Sequence, residues 1–298
     1  MVTIALAAPR AAPADFLALT KPRIVTMVLV TVAAGYFLAP AGAASGAVRL
    51  LVLAHLLVGT ALVAAGTNAL NQVWERDTDA LMRRTAGRPL PTGRLPVASA
   101  MVFAVGAGVI GVGYLWLFVN GLTATLAAAT LVSYVLVYTP LKRRTALATL
   151  VGAVPGALPI VGGWTAAGGA LDARAWLLFA LLFLWQLPHF LALGWIYRED
   201  YARAGLPTLS AGDPDGRRTF RQAALDAAAL LAVSLAPTLI GMTGAFYFIG
   251  AMGLSTWLLW TSGSCARHPS TDRARRLFRA TLVYLPSILL LLIVDRAP

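Results

Sequence analysis

A lone cysteine, Cys265, excludes any disulfide within the chain and any thiolate-based metal centre. Charge is scarce as well: 12% of residues are charged against 59% hydrophobic, with a mean hydropathy of +0.76, which excludes an ordinary soluble domain. Long polar stretches are nearly missing, the longest being 74–96 and 197–221. Of the 12 acidic residues, none falls at the middle of an apolar run. Glu75, Asp77, Asp79, Glu199, Asp200, Asp213, Asp215 and Asp272 lie at or beyond run ends on one side, Asp172 and Asp295 at ends on the other. Asp15 precedes the first run and Asp226 sits in the first turns of the seventh. Ion-coupled transporters place ionisable groups or broken helices at the bilayer midplane, so this distribution points instead to chemistry at one membrane face. A cleavable leader is not expected either, because the Ala- and Pro-rich start lacks a basic opening followed by an apolar core. Residues 1–20 are expected to form a disordered tail and 21–298 a single membrane domain.

What the chain has in abundance is apolar runs. Stretches approaching or reaching the roughly 17 to 25 residues needed to cross a bilayer lie near 24–39, 50–73, 97–118, 122–139, 146–163, 174–196, 222–241, 244–262 and 277–294. The expected fold is all-α, a polytopic membrane protein of nine transmembrane helices. The net charge of +12 would suggest nucleic acid in a soluble protein, but its distribution follows topology. Every second loop receives the Lys and Arg residues, and only Arg49, Arg174 and Arg296 of the 24 fall on the other side. The positive-inside rule then orients the protein in the cell membrane with its N-terminus cytoplasmic and its C-terminus outside, and no nucleic-acid partner is needed.

Three of the few acids gather in Asn71-Gln-Val-Trp-Glu75-Arg-Asp77-Thr-Asp79, where an apolar segment meets a basic loop. Asn71, Glu75 and Asp79 are spaced i, i+4, i+8, so on a helix they share one face, while Asp77 points elsewhere. Three oxygen donors of this kind suit Mg²⁺, which is commonly held by one or two carboxylates together with substrate phosphates. Solvated charges at a helix end would give the same pattern. The following Arg83, Arg84 and Arg88 offer planar donors to a diphosphate, although the positive-inside bias alone explains their side of the membrane. Glu199 and Asp200 open the other long loop and could hold a second Mg²⁺. Upstream, Gln186 and His189 extend a polar stripe: His189 and Asp200 are three helical turns apart and share a face if Pro188 does not rotate the helix. His189 is read either as a packing residue or as a substrate contact. Tyr138, Lys142 and Arg143, with Arg144, could clamp a diphosphate or simply anchor the helix at the interface; Lys21 and Arg23 carry the same ambiguity.

Together these motifs resemble the UbiA-type intramembrane prenyltransferases, which carry an Asn-x-x-x-Asp-x-x-x-Asp pattern after the second helix and a second acidic motif after the sixth. Glu75 stands where that pattern has Asp, which keeps the carboxylate and lengthens its reach. The stretches Leu19-Thr-Lys-Pro-Arg23, Met82 to Arg94, Tyr138-Thr-Pro-Leu-Lys-Arg143, Trp185-Gln-Leu-Pro-His-Phe190 and Asp200-Tyr-Ala-Arg-Ala-Gly-Leu-Pro207 are similar to the haem-farnesylating branch of the family. The resemblance implies a helical bundle with a cytoplasm-facing cavity. It also implies transfer of a farnesyl group from farnesyl diphosphate to a vinyl group of haem B, giving haem O and diphosphate. One or two Mg²⁺ ions would be held by Asn71, Glu75, Asp79 and Asp200. The same implication assigns substrate contacts to Arg83, Arg84, Arg88, Lys142, Arg143, Gln186, Tyr138, Tyr201, Lys21 and Arg23, and leaves His189 to contact the porphyrin or position a water. A haem A synthase or oxidase-assembly partner is implied downstream. A different acceptor, a quinone precursor or chlorophyllide, and a non-catalytic haem carrier are the competing readings.

Overall fold

Proline opens the first two helices of the computed structural model, which describes residues 12–40 and 45–297. Pro13 and Pro22 stand at N1 of α1 (Pro13–Thr20) and α2 (Pro22–Leu38), where the fixed φ suits a helix and the missing N–H costs nothing. Between them Lys21 has φ 52°, the one non-glycine residue with positive φ among the described residues, and the two helices bend by 46°. The helices that follow are α3 (Gly46–Ala80), α4 (Val97–Phe118) and α5 (Gly121–Val132). A π-helical turn over Ser133–Tyr138 continues α5 into α6 (Thr139–Leu141). Then come α7 (Ala148–Ala166), α8 (Ala173–Ile196), α9 (Arg198–Arg203), α10 (Arg217–Leu239), α11 (Ala245–Arg267) and α12 (Thr271–Val294). Side-chain oxygens of Ser45, Asn120, Asp172 and Ser270 cap α3, α5, α8 and α12. Among the described residues β pairing amounts to one isolated bridge, Thr243 to Arg296.

Seven stretches are long and apolar enough to cross a membrane, α5 through α6 counting as one, or eight when α1 and α2 count as one bent span. The expectation of nine exceeds that count by one or two. The run at 24–39 lies on α2, whose 17 residues rise only about 25 Å, short of a hydrocarbon core of about 30 Å. The run at 244–262 lies on α11, a 23-residue helix diluted by Gly250, Gly253, Ser255, Thr261, Ser262, Gly263 and Ser264. The tail also needs correcting. Residues 1–11 lie outside the described residues, but 13–20 are helical and docked, with Leu19 fully buried and its carbonyl accepting from Gln72 Nε2 at 2.7 Å.

Packing divides the apolar core by helix. One large cluster joins α7, α8, α10, α11 and α12 around Trp164, Phe220, Tyr247 and Tyr284; a second joins α2 to α5 around Tyr36, Leu56 and Leu115. Glycine draws α2 and α7 together at two places. A Cβ on Gly35 would land on the Ile160 carbonyl oxygen, and one on Gly163 would land on that of Val32, so the backbones touch where small residues permit. On the outside, Val102, Leu117, Leu239 and Ile249 are among the many exposed large apolar side chains, as expected of a surface solvated by lipid. A third cluster, with Leu19, Ala69, Leu90, Leu95, Ala100 and Ala104, packs α1 and the basic loop 81–96 against α3 and α4, and this is the end where the polar residues collect.

Candidate active site at the end of helix α3

Helix α3 has 35 residues, about 52 Å at 1.5 Å per residue, and therefore outruns a hydrocarbon core of about 30 Å. Its surplus is the polar stretch. Asn71, Glu75 and Asp79 are buried at 2%, 6% and 1% exposure, together with Asn68, Gln72 and Thr78. Trp74, Arg76 and Asp77 face outward, and among the described residues Asp77 forms only an exposed pair with Arg76 at 2.9 Å. The helical period thus sorts the acids into two on a buried face and one in solvent.

A cation from a different element meets each polar group of that face. Lys21, in the break before α2, donates from Nζ to Asn71 Oδ1 at 3.0 Å. Lys142, following α6, donates to both oxygens of Glu75 at 3.1 and 3.3 Å. Arg88, in the loop after α3, donates to Asp79 Oδ2 at 2.6 Å. Burial alone would lower the pKa of Lys142, but the Glu75 carboxylate outweighs it and holds the ammonium above its ordinary 10.5. Lys21 adopts a left-handed backbone to do this, a conformation that costs on the order of 1 kcal/mol or more outside glycine and recurs at functional sites.

The π-turn supplies the remaining wall. Asn71 Nδ2 donates to Thr139 Oγ1 at 3.3 Å, and that hydroxyl donates to the Tyr134 carbonyl at 2.8 Å. Tyr134 and Tyr138 lie with ring centroids 4.9 Å apart, and Gly152 of α7 makes room for the Tyr138 ring, where a Cβ would come within 2.6 Å. Single π-turns are common at functional sites. Arg143 NH2 caps the Trp74 carbonyl at 3.2 Å, leaving the rest of its side chain exposed.

Asp200, on α9, is held in another way. The backbone amides of Arg83 and Arg84 each donate to it at 3.3 Å, and Arg203 NH1 at 2.8 Å. Burial would raise its pKa; the two amides and the guanidinium outweigh that and hold it below the ordinary 3.8. The side chains of Arg83 and Arg84 are exposed, and Arg84 lies over the Tyr197 ring at 4.9 Å. Glu199 is exposed and Tyr201 half-buried. Arg23 is exposed on α2.

The polar stripe expected along one face from Gln186 through His189 to Asp200 does not form. Helix α8 ends at Ile196 and the chain turns at Tyr197 before α9 begins, so the three-turn spacing is broken. Gln186 turns to α7, its Nε2 donating to the carbonyls of Ala153 at 3.2 Å and Leu182 at 3.1 Å, in space opened by Gly156. His189 turns to α12, its Nδ1 2.8 Å from Thr281 Oγ1.

No three residues drawn from His, Cys, Asp and Glu converge among the described residues. Glu75 and Asp79 bring two carboxylates and Asn71 an amide oxygen, a hard donor set that fits Mg²⁺ with room for waters or phosphate oxygens; Asp200 does not join them as a third acid. An open depression of about 540 Å³ lies between the loops at Arg144 to Ala146 and Ala202 to Gly212. A smaller one of about 330 Å³ is lined by Arg76, Asp77 and Leu90 to Val97. Neither is lined by the α3 face, over which Lys21, Lys142 and Arg88 close. Reasoning from motifs gave no role to Thr139 and Arg203, although both lie within the Tyr138 to Arg143 and Asp200 to Pro207 stretches, and missed Thr281, a single polar residue in an apolar helix. Asn68 and Gln72 were legible in principle: polar groups one turn before and one residue after Asn71, they hold the carbonyls of Thr20 and Leu19.

Residues 28–285 match the model of the UbiA prenyltransferase family. The chain is 47% identical over 287 residues to the protoheme IX farnesyltransferase of Solibacter usitatus, covering 95% of this chain and 98% of that one. Among solved structures it is similar to a digeranylgeranylglyceryl phosphate synthase, with a TM-score of 0.78 at 16% identity over 95% of this chain and 97% of the other. A UbiA homologue from Archaeoglobus fulgidus bound to DMAPP and Mg²⁺ superposes with a TM-score of 0.64 at 16% identity, over 93% and 99% of the two chains.

Proposed function

The chain belongs to the UbiA prenyltransferase family, and from that premise we propose that this membrane enzyme transfers a farnesyl group from farnesyl diphosphate to a vinyl group of protohaem IX (haem B), giving haem O. The observation that carries the diphosphate half is the arrangement on α3, two buried carboxylates and an amide each met by a cation from a separate element. The acceptor rests on the relative from Solibacter usitatus and on the Trp185 to Phe190 and Asp200 to Pro207 stretches.

Glu75, Asp79 and the Asn71 amide oxygen would hold Mg²⁺, which when bound neutralises the diphosphate and stabilises the charge that grows on it as it leaves. Lys21, Lys142 and Arg88 then turn from their acceptors on α3 to phosphate oxygens, Arg88 with a planar fork suited to two of them. The farnesyl C1–O bond breaks and its electron pair departs with diphosphate. The haem vinyl group attacks C1, and water adds to the resulting cation with loss of a proton, so the product carries a new C–C bond and a hydroxyl. The Tyr134 and Tyr138 rings offer π-faces to the allylic cation, and the apolar helices keep bulk water from it. Asp200 is available as a further ligand only if the Arg83–Arg84 backbone releases it.

Membranes containing the protein, incubated with protohaem IX, farnesyl diphosphate and Mg²⁺, are expected to yield hydroxyethylfarnesyl haem by mass analysis. If another acceptor is prenylated while haem is not, the acceptor is wrong. A haem carrier without catalysis would bind haem with no dependence on farnesyl diphosphate. The basic loops orient the site to the cytoplasm; with α11, packed between α10 and α12, crossing beside the eight apolar spans, the N-terminus lies inside and the C-terminus outside, and accessibility labelling of single cysteines placed in successive loops checks that orientation. A haem A synthase or oxidase-assembly protein receives the product, which co-purification from native membranes would test.

A further inference from the structure

His189 lies outside the diphosphate clamp, and its hydrogen bonds decide what its ring can do. The imidazole is stacked on Trp185, centroids 5.2 Å and planes 27° apart, and lies against Phe278 of α12 at 4.8 Å and 30°. Its Nδ1 is 2.8 Å from Thr281 Oγ1, and the same hydroxyl is 2.6 Å from the Phe278 carbonyl oxygen. A threonine hydroxyl has one proton, and a carbonyl can only accept. The short contact to Phe278 therefore takes the Thr281 proton, leaving only lone pairs toward His189, so Nδ1 must carry the ring's N–H. In the neutral ring the free lone pair then sits on Nε2. Thr281 holds the stacking partner too, since Trp185 Nε1 donates to its carbonyl at 2.8 Å. Nε2 has no hydrogen-bond partner among the described residues, where Trp195 Nε1 is the one buried side-chain atom lacking a partner. Nε2 is therefore open to an approaching group.

We propose that Thr281 is a positioning residue that locks His189 in its Nδ1-protonated form and presents Nε2 as the ligand for the iron of a metalloporphyrin. The inference rests on the haem acceptor proposed above. A neutral imidazole ligates through the nitrogen whose opposite N–H is tied to an oxygen acceptor, the arrangement that fixes both tautomer and ring direction at metal sites. Two aromatic neighbours hold the ring in one plane, and a metal bonds along that plane through the lone pair. The iron coordinated by Nε2 would set the porphyrin beside α8 and α12 and so fix which vinyl group the farnesyl cation meets.

The test titrates the purified full-length protein in detergent with ferric protohaem, read by visible absorption and resonance Raman. The unmodified protein is expected to show a histidine-ligated iron. Thr281→Val should weaken that ligation by about 10- to 100-fold, Thr281→Ser should restore it, and His189→Ala should lose it until free imidazole is added. If Thr281→Val fails to fold, Thr281→Ala carries the same comparison. A spectrum unchanged by Thr281→Val or by His189→Ala, or an unmodified protein without a histidine-ligated signature, overturns the inference. Running the farnesylation assay beside it separates the two claims. Haem O formed without histidine ligation removes this inference and leaves the acceptor standing, whereas prenylation of another acceptor with no haem product removes both.

Discussion

The carboxylates of α3 and the carboxylate of α9 are buried at the same end of the molecule and satisfied by different means. Glu75 and Asp79 are met by the tips of Lys142 and Arg88, whose side chains remain 20% and 24% exposed. Asp200 is met by Arg203, a flexible cation too, but also by the main chain of Arg83 and Arg84, which the α3 carboxylates lack. A flexible cation can leave its carboxylate by changing rotamer, whereas a backbone amide moves only with its loop. The α3 face is thus built for exchange, in which metal replaces ammonium and guanidinium while these turn to phosphate. The α9 contact is built as a latch, tying the basic loop 81–96 to the second acidic motif across 117 residues of sequence.

The comparison breaks most directly at Asp79. Asp79→Asn removes a metal-binding negative charge and leaves Arg88 facing a neutral amide in place of its carboxylate, so farnesyl transfer should fall by roughly 10²- to 10³-fold with the helical spectrum unchanged. Near-native turnover in membranes would mean that the α3 face is structural after all. Lys142→Met should act first on stability. It strands Glu75 as a buried unpaired charge, at a cost of about 3 kcal/mol, toward the lower end for such pairs because Lys142 is partly exposed. Thermal unfolding in detergent measures this, and adding Glu75→Gln to the same chain should recover most of the loss. No recovery would show that Lys142 is held by something other than Glu75.

Asp200 should behave as a latch. Asp200→Ala is expected to speed amide exchange at Arg83 and Arg84, and to lower turnover by about tenfold through misplacement of Arg88 rather than loss of a ligand. A loss as large as that of Asp79→Asn, without faster exchange, would move Asp200 into the metal site. The pH dependence follows from the direction of its shift. The folded pKa of Asp200 lies below the ordinary 3.8, so its contribution is fully present above about pH 4 to 5 and is lost as pH falls through the lower folded value. Protection of the Arg83 and Arg84 amides relative to their intrinsic, base-catalysed exchange should therefore show no step attributable to Asp200 between pH 5 and 8, and should fall only in stronger acid.

Much of the α3 face was legible because one helix carries it. Asn71, Glu75 and Asp79 need only the 3.6-residue period to share a side, and their setting against a basic loop follows from adjacency in sequence. The partner of each was less legible. Lys21 and Lys142 reach the face from 50 and 67 residues away, distances that no local period encodes. The stripe from Gln186 to Asp200 failed because one non-helical residue, Tyr197, separates α8 from α9 and resets the phase of everything after it. The span count missed for a related reason. Apolar runs are read one at a time, whereas α2 reaches membrane length only with α1 across the break at Lys21, and the small polar residues along α11 leave it less apolar than the other spans although it is a full 23-residue helix.

Asp77 offers the smallest effect and the cleanest internal control. It belongs to the same acidic stretch as Glu75 and Asp79, lies two residues from each, and would be counted with them by any reading based on composition. In the fold it is solvated, its one ionic contact among the described residues being the exposed pair with Arg76, at 77% side-chain exposure for Asp77 and 45% for Arg76. Such pairs contribute about 0 to 1 kcal/mol. Asp77→Asn should therefore leave thermal stability within about 0.5 kcal/mol and turnover within about twofold, at every Mg²⁺ concentration at which Asp79→Asn is inactive. A requirement for more Mg²⁺ in Asp77→Asn would mean that the metal draws on the whole acidic stretch and not on one helical face. The distinction between exchangeable and latched carboxylates would then have to include a third, solvent-facing kind.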